Sequence, residues 1–80
     1  MKPKDYLRQY RRGDYAIRGE IIRTISAVDD ENLRKLLIMR YINGYTWQKI
    51  AFQMNFSFDH VVGYLHRKAL KSIKTPKDRP

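Results

Sequence analysis

A length of 80 residues, no cysteine and a formal net charge of +9 bound the protein to one small domain without a disulfide framework, a thiolate metal site or a cysteine nucleophile. The charge is lopsided: residues 1–31 hold 7 basic and 6 acidic side chains, whereas residues 32–80 hold 10 basic and 2 acidic. A basic excess of that kind attracts a polyanion in a strongly salt-dependent way, and so short a chain has no room for a large catalytic cleft.

Pro3 suits the first turn of a helix, and from Lys4 to about Ala27 no residue forces a stop. Gly13 and Gly19 each weaken a helix by about 1 kcal/mol relative to Ala. One long, imperfect helix is predicted, within an N-terminal arm spanning residues 1–28. Leu7, Tyr10, Asp14, Ile17, Ile21 and Val28 fall on alternating steps of three and four, and Ile25 widens the stripe at its end. The seam fits either a second copy of the chain, giving a homodimer, or the chain's own C-terminal helices. Arg8, Arg11, Arg12 and Arg18 lie mainly on other faces, solvated or within reach of phosphate.

Asp29 or Asp30 can cap a second helix whose first turn is acidic, as the helix dipole favours. It is predicted to run to Asn43, with Leu33, Leu36, Leu37, Arg40 and Tyr41 on a wide apolar face and Arg34, Lys35 and the head of Arg40 leaning towards water. Asn43-Gly44 is a C-cap signal. This is the scaffold behind the pair of helices that follows.

Thr46 to Leu70 reads as a helix, a tight turn and a second helix, within a unit spanning residues 29–74. Thr46 caps the first helix, and Trp47, Ile50, Ala51 and Met54 at i, i+3, i+4 and i+7 form its buried stripe. Ala51 is small enough for a close helix crossing. Asn55 is expected at positive φ, and Phe56 is expected to fill the core. Ser57 caps the second helix, whose inward stripe is expected to hold Phe58, Val61 or Val62, Leu65, Ala69 and Ile73. Its outward face shows Asp59, His60, Gly63, Arg67, Lys71 and Lys74.

That order is the order of a recognition helix. Short polar side chains near the N-terminus meet base edges, cations further along hold phosphates, and a small residue lets the helix sit deep in the major groove of double-stranded DNA. Ser57, Asp59, His60 and Gly63 are the candidates for base edges or first phosphates. Arg67, Lys68, Lys71 and Lys74 are the candidates for the backbone, and Thr46, Gln48 and Lys49 for flanking phosphates. Asp59 either accepts from a cytosine amino group or only favours the helix N-terminus.

His60 and His66, six apart, point to different sides of a helix, so no metal pair is expected, and no cofactor. Trp47 and the tyrosines read as core rather than as base-stacking platforms. No nucleophile-base pair, acidic cluster or phosphate loop suggests an enzyme. The longest apolar run, Leu36 to Met39, is far short of a membrane span, and no signal-peptide pattern opens the chain, so a soluble, cytoplasmic protein without a membrane partner is expected. Residues 75–80, polar and broken by two prolines, are expected to be disordered.

From Leu36 to Leu70 the chain resembles region 4 of bacterial sigma factors. LLIMRYINGYTWQKIA is similar to that family's scaffold helix, small-residue turn and first motif helix, and NFSFDHVVGYLHRKAL to its turn and recognition helix. Thr46, Ile50, Ala51, Ser57, Val61, Leu65, His66 and Arg67 stand where such helices carry them. More narrowly, the opening KDYLRQYRRGD and the C-terminal words resemble short phage transcription regulators of the ArpU and RinA type. The resemblance implies an all-α fold, a small helical domain with a C-terminal helix-turn-helix and a long N-terminal helix. It also implies a phage or mobile-element regulator that binds duplex DNA in a bacterial host cell, beside host RNA polymerase. The chain departs from the pattern at Asn55, Phe58, Asp59, Gly63 and Tyr64.

Two other functions fit the same elements. One is a protein-interaction module that docks on RNA polymerase or inhibits a host defence nucleoprotein, with Tyr6, Tyr10, Tyr15 and Phe58 as anchors. The other is a small DNA-packaging subunit, which also combines a helix-turn-helix with a helical arm.

Overall fold

Residues 2–74 are described by a computed structural model, and the tail whose disorder was expected lies outside the described residues. Every regular element among them is helical, so the fold is all-α. Helix α1 is Pro3–Arg12, with Pro3 in its first turn, Asp5 near its N-terminus and Arg11 and Arg12 in its last turn, charges that complement the helix dipole. Helix α2 is Tyr15–Ser26. The single long N-terminal helix expected from the seam is therefore two helices. The break lies at Gly13-Asp14, where Gly13 is extended and the Asp14 carboxylate caps α2 by accepting from the Ile17 N–H at 3.2 Å. Asp14 is thus a cap and not a seam residue. The corner is tight: a Cβ on Gly13 would run into the Ile17 side chain and lie 2.9 Å from the Gln9 carbonyl oxygen.

Arg18 closes the same corner. Its Nε donates to the Tyr10 carbonyl at 2.9 Å and its Nη2 to that of Arg11 at 3.5 Å, which satisfies carbonyls at the end of α1 that have no partner within the helix. α2 then folds back, so that the Tyr6 and Thr24 hydroxyls share a buried hydrogen bond of 3.2 Å.

Helix α3 covers 31–42 and consists of Glu31–Leu37 followed by a π-helical stretch, Ile38–Ile42. Asp30 caps it, accepting from the N–H groups of Asn32 and Leu33 at 2.9 and 3.2 Å. Past its end Gly44 takes φ +75, the left-handed turn that the Asn43-Gly44 pair predicted. Helix α4 is Trp47–Met54, capped by the Thr46 hydroxyl, which accepts from the Lys49 N–H at 3.2 Å. It ends on Asn55 at φ 62, with the Phe56 N–H bonded to the Ala51 carbonyl at 3.1 Å and the Asn55 N–H to that of Phe52 at 3.3 Å. These two bonds make a Schellman ending.

Helix α5 covers 58–72: Phe58–His60, a second π-helical stretch Val61–Leu65, and His66–Ser72. Ser57 caps it by accepting from the His60 N–H at 3.1 Å. Val61, Leu65, Ala69 and, just beyond the helix, Ile73 are buried as expected, with Val61 rather than Val62 in the core. Two aromatics are not. Phe56 and Phe58 are 37% and 44% exposed: Phe56 lies against the His60 ring, and no residue of Phe58–His60 is buried.

One core joins all five helices. It holds Tyr6 and Leu7 of α1, Ile21 and Ile25 of α2, Leu33, Leu36, Leu37 and Tyr41 of α3, Ile50 and Ala51 of α4, and Val61, Leu65 and Ala69 of α5. The seam residues Leu7, Ile21 and Val28 are fully covered within this chain.

Candidate nucleic-acid interface

The inward stripe of α5 dictates what the helix shows to solvent. With Val61, Leu65, Ala69 and Ile73 held in the core, Asp59, His60, Gly63, Arg67, Lys68 and Lys71 are left exposed. Gly63, Arg67, Lys68 and Lys71 line, with Tyr64, one shallow concavity of about 400 Å³. Arg67 is partly ordered there: its Nε donates to the Gly63 carbonyl at 3.1 Å, which leaves its terminal N–H groups for an acceptor outside the chain. Gly63 itself has open space around it, and a Cβ added there would meet nothing within 4 Å. Among the described residues nothing requires that residue to be small.

His60 is held between two rings, with Phe56 at 5.1 Å and Tyr64 at 5.2 Å between centroids, and the Tyr64 ring also lies 5.7 Å from the Lys68 ammonium. The Thr46 and Ser57 hydroxyls serve as caps, each accepting a backbone N–H. Their own protons remain free to donate to an acceptor such as phosphate. Gln48 and Lys49 are exposed in the first turn of α4, and the Lys49 ammonium sits 4.0 Å over the Tyr45 ring. Lys74 is exposed and does not line the concavity beside Gly63. It lines a different concavity of about 630 Å³, whose wall includes Asp29 and Asp30; Lys68 stands between the two.

The tyrosines are expected in the core, but Tyr64 is 52% exposed and Tyr15 is exposed too; Phe52, which the sequence pattern does not single out, is 85% exposed. Tyr64 was legible in principle, four residues beyond His60 and so on the same helical face. Of the aromatics proposed as anchors, Tyr6 is buried, Tyr10 half-buried, and Tyr15 and Phe58 exposed.

His66 is the packing histidine of the pair. It lies beneath α5, bonded through Nε2 to the Tyr41 hydroxyl at 2.7 Å and tilted against the Trp47 ring at 4.5 Å, so one imidazole ties α3, α4 and α5 together. Burial lowers its pKa to about 4, and repulsion from Lys4, Arg40 and Arg8 adds to the effect. Burial also raises the pKa of the Tyr41 hydroxyl, against the opposing pull of Arg40 and Arg8. Both groups are therefore neutral at pH 7. Among the described residues no three His, Asp or Glu side chains gather as metal ligands, and no helix is long and apolar enough to cross a membrane.

Comparison of the chain with family models, with curated proteins and with solved structures gave no match.

Proposed function

We propose that this chain is a duplex-DNA-binding transcriptional regulator of the sigma region 4-like type, akin to phage regulators, with α5 as its recognition helix. The observation that carries the reading is the pairing of an exposed Arg67, Lys68 and Lys71 with a glycine, Gly63, that no contact among the described residues requires. A bare helix surface flanked by cations suits an approach to a groove between two phosphate strands. In this reading Gly63 and His60 lie nearest the base edges, Arg67, Lys68 and Lys71 hold the backbone, and Gln48 and Lys49 with the Thr46 and Ser57 hydroxyls hold flanking phosphates. Asp59 favours the N-terminus of α5 and orients it.

The test is a salt titration of duplex binding. Wild-type affinity falls with salt, and the double substitution Arg67→Ala/Lys71→Ala lowers the slope of log K against log salt by about 2, near 0.9 for each phosphate no longer neutralised. An unchanged slope in a double variant that keeps its helical circular dichroism removes α5 from the DNA-facing surface.

A second reading draws on the exposed aromatics Phe52, Phe58 and Tyr64, which suit a protein-docking module for RNA polymerase or a host nucleoprotein. The same titration separates the two when the exposed pair Arg12→Ala/Arg23→Ala is run beside it: a docking module that holds DNA only through its general charge loses as much slope from this pair as from Arg67→Ala/Lys71→Ala.

A further inference from the structure

Arg8 and Arg11 fall one turn apart on α1, and burial of the neighbouring Tyr6 and Leu7 turns that helix against α3. There they meet Arg40. The three arginines line one concavity of about 280 Å³, together with Tyr41 and Gly44. Among the described residues no carboxylate stands in its wall. The nearest acid partner is Asp5, 3.9 Å from Arg8, with both side chains more than half exposed and their attraction screened by water. Arg11 and Arg40 have no ion pair among the described residues.

This cluster differs from a solvated basic face in being built. Arg40 is fixed from behind, since its Nη1 donates to the Tyr45 carbonyl at 3.1 Å and its guanidinium lies 4.4 Å over the Trp47 ring. Arg11 rests on the left-handed turn at Gly44, where φ is +75 and where any Cβ would collide with its guanidinium. The turn that ends α3 therefore clears the space that Arg11 occupies. Each guanidinium carries five N–H donors, far more than the carbonyls nearby consume, and three like charges in one concavity repel one another until an anion enters.

We propose that Arg8, Arg11 and Arg40 form a phosphate-binding site, separate from the exposed face of α5. A tetrahedral oxyanion matches the donor set, because each fork can take a pair of its oxygens. A backbone phosphodiester and a free phosphate share this chemistry. Arg40 stacks on Trp47, the first residue of α4, so the site adjoins the helix end that bears Gln48 and Lys49. That position favours the DNA backbone as the source, and only this assignment of source rests on the DNA-binding reading.

Thermal unfolding in sodium phosphate, against sodium chloride at matched ionic strength, tests the site. Wild type gains a Tm excess in phosphate of roughly 4–8 °C once phosphate exceeds its dissociation constant about fivefold. The substitution Arg8→Gln/Arg11→Gln abolishes that excess. General stabilisation by excluded phosphate would persist in the variant, so a persisting excess, or none in wild type, overturns the site. Should the variant fail to fold, phosphate titration of 15N-labelled wild type decides: the Gly44 and Tyr41 amides shift along a saturable curve, and linear or absent shifts overturn the proposal. With duplex DNA, a salt slope lowered by about 0.9 in the same variant, the share of the one phosphate held there, assigns the site to the DNA backbone, while an unchanged slope beside a lost phosphate excess assigns it to free phosphate. If wild type binds no duplex at all, the DNA-binding reading fails and the phosphate result stands.

Discussion

An imidazole bonded to Tyr41 at 2.7 Å and pressed against Trp47 has no room for a hydrated charge, and that fixes how stability depends on pH. The folded pKa of His66 is about 4, below the roughly 6.5 of an unfolded histidine. Above pH 6.5 neither state is charged and His66 has no effect. As pH falls from 6.5 towards 4 the unfolded chain takes up a proton that the folded one refuses, so stability drops by up to about 1.4 kcal/mol per unit, about 3 kcal/mol in all. Below pH 4 both states are protonated and the loss levels off. Urea unfolding followed by Trp47 fluorescence at pH 7, 5.5 and 4.5 measures this. In His66→Gln, which can still bond Tyr41 but cannot titrate, only the shallower loss due to carboxylates should remain. A wild-type loss no steeper than the variant's would show that the folded imidazole is not shielded from protons.

The capping residues at the level of elements were legible because a cap is a local device. Asp30, Thr46 and Ser57 each meet an N–H two or three residues ahead, and Asn55 needs only its own backbone torsion, so a few residues of sequence suffice. The outward face of α5 followed from the same short-range logic. The break at Gly13-Asp14 was obscured because Asp14 falls in phase with the seam, and a continuous heptad pattern masked a local glycine-aspartate stop. The inward stripe of α5 was legible at Val61, Leu65, Ala69 and Ile73 and failed only at Phe58, on the far side of the π stretch Val61–Leu65. Phe58 and Ala69 are eleven residues apart, close to three whole α-helical turns, but one residue inserted between them shifts the phase by roughly a quarter turn. Phe58 therefore stays outside while His66 enters the core. The arginine concavity was not legible at all, since it depends on α1 lying against α3. Gly63 carries the test for α5: with open space where a Cβ would stand, Gly63→Ala should stabilise the free protein by roughly 0.5–1 kcal/mol. Gly63→Leu should fold equally well yet bind duplex about tenfold more weakly, a penalty of roughly 1.4 kcal/mol. Duplex affinity indifferent to Leu at this position would show that the bare surface faces nothing.

For the molecule as a whole, the two halves share one interior, and that decides how α5 is held. A domain of this size has a thin core and a total stability of about 5–15 kcal/mol at most, so no part of it has stability to spare. Leu7 belongs to α1, far in sequence from α5, yet it is fully buried in the same cluster as Ile50, Val61 and Leu65. Truncating it removes packing from that common interior, and Leu7→Ala should lower the unfolding free energy by about 2–5 kcal/mol. If the interior is one cooperative unit, the whole loss appears at α4 and α5. Unfolding followed by Trp47 fluorescence, which reports α4, and by far-ultraviolet circular dichroism, which reports every helix, should give one shared midpoint, displaced equally in the variant. A midpoint for Trp47 that ignores Leu7→Ala while the helical signal falls early would mean that α1 and α2 melt separately. The unit of α3, α4 and α5 would then be self-sufficient, and the pairing of Arg8 and Arg11 with Arg40 would exist only while α1 stayed docked.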